Sequence, residues 1–222
     1  DSECVFGLIE LTVVKKRKKE SLMSTACGSA FAISPNYVIT ARHNLVTKDG
    51  YEKSVALVKE IVEDVPLMED NLIKLSLVAN SADNDWAVLQ RDDGNAFTKY
   101  AAICPEGELP LERSVVGVKD FTSGMFEVGS STKLTVQSVS TKVCQYEPRA
   151  SDCMDLSSVM HIPVIRHGEV APPQVARTED TIMVSGGRVY GSCGAPYFAE
   201  NGKVVAFHVR SLDDSPEHLG PS

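Results

Sequence analysis

An all-β fold is what the sequence predicts, on three observations. The apolar segments are short and rich in β-branched residues, as in Tyr37-Val38-Ile39-Thr40-Ala41. Turn residues cut them at frequent intervals, Pro35-Asn36 and Asn201-Gly202 most plainly. Helical periodicity is weak throughout, and 55–68 is the one ambiguous stretch. Many short strands of this kind build two small barrels side by side or one large sandwich.

In chain order, 5–14 reads as the first strand. The basic run Lys15-Lys16-Arg17-Lys18-Lys19 follows, placed between two strands and therefore expected at a solvated hairpin tip. Small and apolar residues alternate over 28–34, Pro35-Asn36 turns the chain, and 37–41 is the next strand. The segments 72–79 and 86–90 continue the pattern. After 101–110 come strand-like segments at 115–121, 133–143, 159–165 and 181–185. The last two, 196–198 and 204–209, are joined by Asn201-Gly202, a strong hairpin signal. A loop-like passage at 106–112 divides the chain into two halves, 1–105 and 106–222.

Composition narrows the function. With 222 residues, 43% hydrophobic and 23% charged, the chain can bury a core and is not a disordered tail. The net charge of −8 and a pI of about 5.2 argue against a protein whose main task is gripping phosphates. No apolar run approaches the roughly 18 residues of a membrane helix, so no membrane partner is expected. The first residue is Asp1 and no charged-then-apolar leader follows, so the sequence reads as a mature or excised piece whose targeting signal is out of view. Six cysteines are present, without the short-spaced Cys/His pairs of a zinc site. Neither metal nor cofactor is expected.

Three segments carry chemistry. Thr40-Ala41-Arg42-His43 ends an apolar strand. Asp85 directly precedes the apolar run Trp86-Ala87-Val88-Leu89. Gly191-Ser192-Cys193-Gly194-Ala195-Pro196 sets a thiol between glycines before another apolar strand. Each residue alone has a bland reading: a core cysteine, a core or surface histidine, a turn aspartate. Together they put base, acid and nucleophile in one order, with separations of 42 and 108 residues. Asp83 is the rival acid, and Asp85 is preferred because it abuts the strand.

In order and spacing this set resembles the chymotrypsin-fold peptidases, over 27–211. The resemblance implies two six-stranded antiparallel β-barrels with the active site between them. It puts His43 and Asp85 on the first barrel, and Cys193 with the specificity pocket on the second. The family's serine is replaced by Cys193, which is similar to the picornaviral and potyviral (3C-like) processing cysteine peptidases. The stretch Asn201-Gly202-Lys203-Val204-Val205-Ala206-Phe207-His208-Val209 also looks like theirs. Ala195 departs from the second glycine of the pattern.

The chemistry agrees. A thiol of pKa about 8.5 is mostly protonated at neutral pH. His43 would favour the thiolate as an ion pair or take its proton during attack. Asp85 would hold the imidazole tautomer, and would matter less than in a serine enzyme because a thiol needs less help. By the resemblance, the Gly191 and Cys193 N–H groups form the oxyanion hole. His208 lines the primary pocket and binds a Gln or Glu side chain, with Asp a further candidate. The other reading of His208 is a core residue bonded to backbone or tyrosine. Arg188 and Arg210 replace residues of the viral pocket and would favour an acidic side chain if either points inward. Val209-Arg210-Ser211 would offer backbone to an extended substrate.

The expected activity is therefore a cysteine endopeptidase acting on polypeptides, a parent polyprotein among the candidates, through a thioester acyl-enzyme. The alternatives are a pseudo-peptidase that binds peptides without turnover and an RNA-binding module built on Lys15–Lys19. The retained residue types argue against the first and the net charge against the second. His161 and His167 read as structural, and Cys144 and Cys153 as thiols. Asn44 stands directly after His43, where many secreted relatives have a cysteine paired to one in the Cys27 context. That bridge cannot form here. This, and the five cysteines left beside a nucleophile, favour a reducing, cytoplasmic setting.

Overall fold

Strand β1 (Val5–Lys16) and strand β2 (Lys19–Ala32) pair antiparallel from Val5↔Phe31 to Lys16↔Lys19. A two-residue loop closes them, with Arg17 at φ 46° and Lys18 at φ 68°. Positive φ at both loop residues matches the right-handed twist of a tight hairpin. The basic run is thus an exposed hairpin tip, as expected from the sequence. The structure, a computed structural model, describes residues 2–47, 49–61, 67–82, 85–104, 114–121, 132–140, 154–159, 163–166, 169–173, 181–185 and 193–212.

Strands β3 (Tyr37–Ala41), β4 (Val55–Val58), β5 (Ile73–Ser81) and β6 (Trp86–Arg91) complete a closed barrel in the order β1-β2-β3-β6-β5-β4. Closure leaves no free sheet edge within the ring. Buried Val5, Leu8, Phe31, Ile39, Leu57, Val88 and Leu89 pack in its core cluster. The ambiguous stretch 55–68 begins as β4 and is not helical in its described part.

A second closed barrel follows: β7 (Val115–Val118), β8 (Thr132–Ser140), β9 (Met154–Val159), β12 (Thr181–Ser185), β13 (Pro196–Phe198) and β14 (Val204–Leu212), in the order β12-β8-β7-β13-β14-β9. Between β9 and β12 lies a separate hairpin of β10 (Pro163–Arg166) and β11 (Glu169–Pro173). The expected strand 159–165 is therefore two elements, β9 ending at Val159 and β10 starting at Pro163. A proline has no N–H for a ladder and sits at a strand's start or edge. Strand β11, ending in Pro172-Pro173, was not foreseen. The expected divide at 106–112, and with it the 105/106 boundary, lies outside the described residues.

The two barrels share apolar and polar contacts. Phe198, Val204 and Phe207 of β13 and β14 join the first barrel's core cluster, while Tyr197, Val205 and Ala206 pack in their own. Phe121, just past β7, is buried against Ile9, Ala56 and Val58. The Ser29 hydroxyl accepts the Phe121 N–H at 2.8 Å and donates to the Phe121 carbonyl at 3.4 Å.

Candidate active site

The strand register brings His43 to Asp85. Strand β3 pairs antiparallel with β6, with Ala41 opposite Trp86. The chain leaving β3 therefore passes the chain entering β6. It leaves through one 3-10 turn, Arg42–Asn44. Asp85 enters at φ 52°, a left-handed conformation that aspartate tolerates better than most residues. The Arg42 N–H donates to the Asp85 main-chain carbonyl at 3.0 Å and the His43 N–H to Asp85 Oδ1 at 2.9 Å. The His43 ring Nδ1–H donates to Asp85 Oδ2 at 2.5 Å. A carboxylate accepts only, so the proton belongs on Nδ1 and Nε2 faces away from Asp85.

Cys193 lies just before β13 (Pro196–Phe198) of the second barrel and is buried in the cluster of the first. Gly194 follows at φ 91°, and a Cβ there would overlap the Ser29 carbonyl oxygen and Thr40 Oγ1. Glycine alone permits both the dihedral and the approach. The Cys193 carbonyl accepts two hydrogen bonds from the first barrel, from the Ser29 N–H at 2.9 Å and from Asn44 Nδ2 at 2.8 Å. Thr40 Oγ1 accepts a second bond from Asn44 Nδ2 at 3.0 Å and donates to the Ser29 carbonyl at 2.7 Å. Gly28 leaves room for this set, since a Cβ there would press on both the Asn44 amide and the Cys193 carbonyl.

The imidazole feels both neighbours. Burial lowers the His43 pKa, but the Asp85 hydrogen bond, the Cys193 thiol's bond and the charges of both groups outweigh it and push it up to about 10. The ring's Nε2 is buried without a well-aligned partner among the described residues, and the Cys193 sulfur lies 3.7 Å from the Val209 carbonyl oxygen. Cys193 is near enough to the ring to raise its pKa.

Of the predicted pocket residues, His208 is buried at 2% exposure, with Nδ1 and the Tyr197 hydroxyl 2.9 Å apart. The tyrosine partner foreseen for a core histidine is present. Its backbone holds the turn after Cys193: the Gly194 N–H donates to the His208 carbonyl at 2.8 Å, and the His208 N–H to the Ala195 carbonyl at 2.9 Å. Val209 sits where the β14–β9 register shifts, between His208↔Ser157 and Arg210↔Leu156. Arg210 and Ser211 continue that ladder through their backbone. Gly191, Ser192, Arg188, Asp83, His161, His167, Cys144 and Cys153 lie outside the described residues. Sequence reasoning did not single out Ser29, Thr40 or Asn44 as part of the site. The only signal was Asn44's place beside His43, which was read as no more than the loss of a bridge.

A family model for the trypsin-like peptidase domain matches residues 28–207, and the chain belongs to that family. Among solved structures it is similar to the HtrA-type protease AlgW, determined with a decapeptide. Identity there is 12% and the TM-score 0.57, over 98% of this chain and 58% of that one. It is also similar to the active form of the Rv3671c protease from M. tuberculosis. Identity is 16% and the TM-score 0.52, over 96% of this chain and 70% of that one. At these identities the likeness is one of fold, and this chain spans 58% of the AlgW chain. A search of curated proteins finds no match.

Proposed function

We propose that this protein is a cysteine endopeptidase with Cys193 as nucleophile, His43 as base and acid, and Asp85 as orienter. One observation carries the reading: a buried imidazole is hydrogen-bonded to a carboxylate and lies near enough to a thiol for both to raise its pKa. His43 already holds the thiol's proton, its pKa raised by both neighbours, as the sulfur attacks the scissile carbonyl carbon. It returns that proton to the departing amine, leaving a thioester. Water then attacks the thioester, again giving its proton to His43, and the acid and thiol are released. The Gly191 and Cys193 N–H groups serve the oxyanion, each donor worth roughly 3 kcal/mol in the transition state.

Cleavage falls after Gln or Glu, with Asp the third candidate. The support is the likeness of 201–209 to the viral peptidases, with which the Tyr197–His208 contact is compatible. If the hydroxyl donates to Nδ1, the proton of a neutral His208 sits on Nε2, which becomes a donor suited to a side-chain carbonyl. Val209-Arg210-Ser211 lends its backbone to the extended substrate, and an inward-pointing Arg188 or Arg210 would favour an acidic side chain. The thiol chemistry is the trait shared with picornaviral and potyviral processing peptidases. A reducing compartment suits that chemistry.

The test is cleavage-site profiling on a proteome-derived peptide library, with Cys193→Ala and His43→Ala as controls. Cleavage after Gln or Glu that both substitutions abolish is expected. Cleavage after Lys, Arg or large apolar residues would reject the specificity. Turnover that survives Cys193→Ala would reject the nucleophile.

A further inference from the structure

The 3-10 turn that carries His43 also carries, one residue later, the side chain that holds the nucleophile's backbone. Asn44 is 2% exposed, and its Nδ2 donates to the Cys193 carbonyl at 2.8 Å and to Thr40 Oγ1 at 3.0 Å. Its orientation follows from its neighbours. The Cys193 carbonyl can only accept. Thr40 gives its own proton to the Ser29 carbonyl at 2.7 Å and so accepts from Asn44. The amide nitrogen must face both, which rules out the flipped amide.

We propose that Asn44 is a positioning residue, a strut that sets the Cys193 backbone against the His43 ring across the barrel interface. The proposal rests on the reading of Cys193 and His43 as nucleophile and base. His43 and Asn44 are adjacent in one short turn, so a shift of the base carries the strut with it. The Ser29 N–H holds the same carbonyl at 2.9 Å, and Gly194 is pressed against Ser29 and Thr40. The Cys193–Gly194 peptide is therefore fixed from the first barrel. That peptide starts at the Cα that bears the thiol, so fixing it limits where the thiol can sit.

Asn44→Asp keeps the shape but sets a carboxylate oxygen against the Cys193 carbonyl. The measurements are kcat and KM on a cleaved peptide, the rate of Cys193 alkylation by iodoacetamide, and the unfolding midpoint, all on the full chain. At pH 7.5 kcat and the alkylation rate should each fall about 10²-fold, the cost of a misplacement near 1 Å, with KM little changed. Protonating the new carboxyl restores an O–H donor. The ratio of Asn44→Asp to wild type should therefore climb as the pH is lowered toward about 5.5, a recovery that a mere packing defect would not give. Thr40→Val, which removes the second acceptor, should lose about tenfold in the same two rates, and it decides the matter if Asn44→Asp does not fold. Folded variants with both rates near wild type, or an Asn44→Asp deficit independent of pH, would overturn the strut. If wild type shows no turnover but alkylation still falls in the variants, the strut stands and the peptidase reading fails. If wild type and variants turn over alike, the peptidase reading stands and the strut fails.

Discussion

Asp85→Asn isolates what the carboxylate does for the imidazole. Burial lowers the His43 pKa, and the Asp85 bond and charge, with those of Cys193, raise it from 6.5 to about 10. A raised folded-state pKa means the folded protein prefers the protonated ring. The resulting stability is present in full below pH 6.5 and is lost as the pH climbs through about 10. At roughly 1.4 kcal/mol per pH unit the whole shift corresponds to no more than about 5 kcal/mol, of which the Cys193 bond and charge hold a part. In Asp85→Asn the Oδ1 acceptor for the His43 N–H is kept, but an NH2 group faces ring Nδ1. The ring must then accept there and carry its proton on Nε2, toward the thiol. Charge and tautomer are lost together, while burial remains. In a Cys193→Ala background, where no thiol titrates beside the ring, the comparison with and without Asp85→Asn reads the carboxylate alone. The His43 pKa, followed by nitrogen-15 NMR, should drop by at least about two pH units. The fall in urea-unfolding free energy between pH 6.5 and 10 should flatten with it. A His43 pKa that agrees in the two proteins within half a unit would refute this account of the site. With Cys193 intact, Asp85→Asn should slow peptide hydrolysis by well under the about 10⁴-fold that the same change costs a serine triad.

Two further outcomes follow from the same geometry. Burial pushes the Cys27 thiol up to about 11, with Lys53 pulling it down and Glu10 up, and burial also raises the Cys4 thiol. Limited iodoacetamide at pH 7.5 should modify Cys193 well before Cys27 or Cys4, read by peptide mass spectrometry; equal labelling of Cys27 would contradict it. Gly194→Ala places a Cβ on the Ser29 carbonyl and Thr40 hydroxyl at a dihedral that L-residues avoid. It should destabilise by about 3 kcal/mol or more in urea unfolding, and a loss under about 1 kcal/mol would mean the loop relaxes.

The parts legible in the sequence were those encoded locally. Tyr37–Ala41 and Thr181–Ser185 are strands whose residue types declare them, and both fall where expected. Asp85 was preferred for abutting a strand, and the Ala41↔Trp86 register turns that adjacency into a hydrogen bond to His43. The basic tip was inferred from charge and position, because Arg17-Lys18 has none of the residues that favour positive φ in such a turn. Strand β11 was hidden by its terminal prolines. The inter-barrel set of Ser29, Thr40 and Asn44 was illegible for a different reason. Its bonds span 149 residues in one case, and a serine, threonine or asparagine in a strand or turn carries no periodic or spacing signal of long-range partners.

The retained aspartate bears on whether this scaffold is committed to sulfur. A thiol attacking beside an imidazolium needs little from a third residue, yet Asp85 grips His43 through both carboxylate oxygens, at 2.5 and 2.9 Å. That is the equipment of an oxygen nucleophile, which needs a neutral, oriented base. In the resting protein the base is held protonated partly by the bond and charge of Cys193 itself. Cys193→Ser removes that charge, so the His43 pKa should fall from about 10 and the ring should become available as a base at mildly alkaline pH. General-base assistance is worth about 10²–10⁴-fold. Cys193→Ser should therefore hydrolyse an activated ester at least about tenfold faster than Cys193→Ser/His43→Ala. Its rate should rise with pH through the lowered His43 titration. Equal rates in the two variants would mean that the His43–Asp85 pair cannot serve a hydroxyl, and that its geometry is tuned to the larger sulfur atom alone.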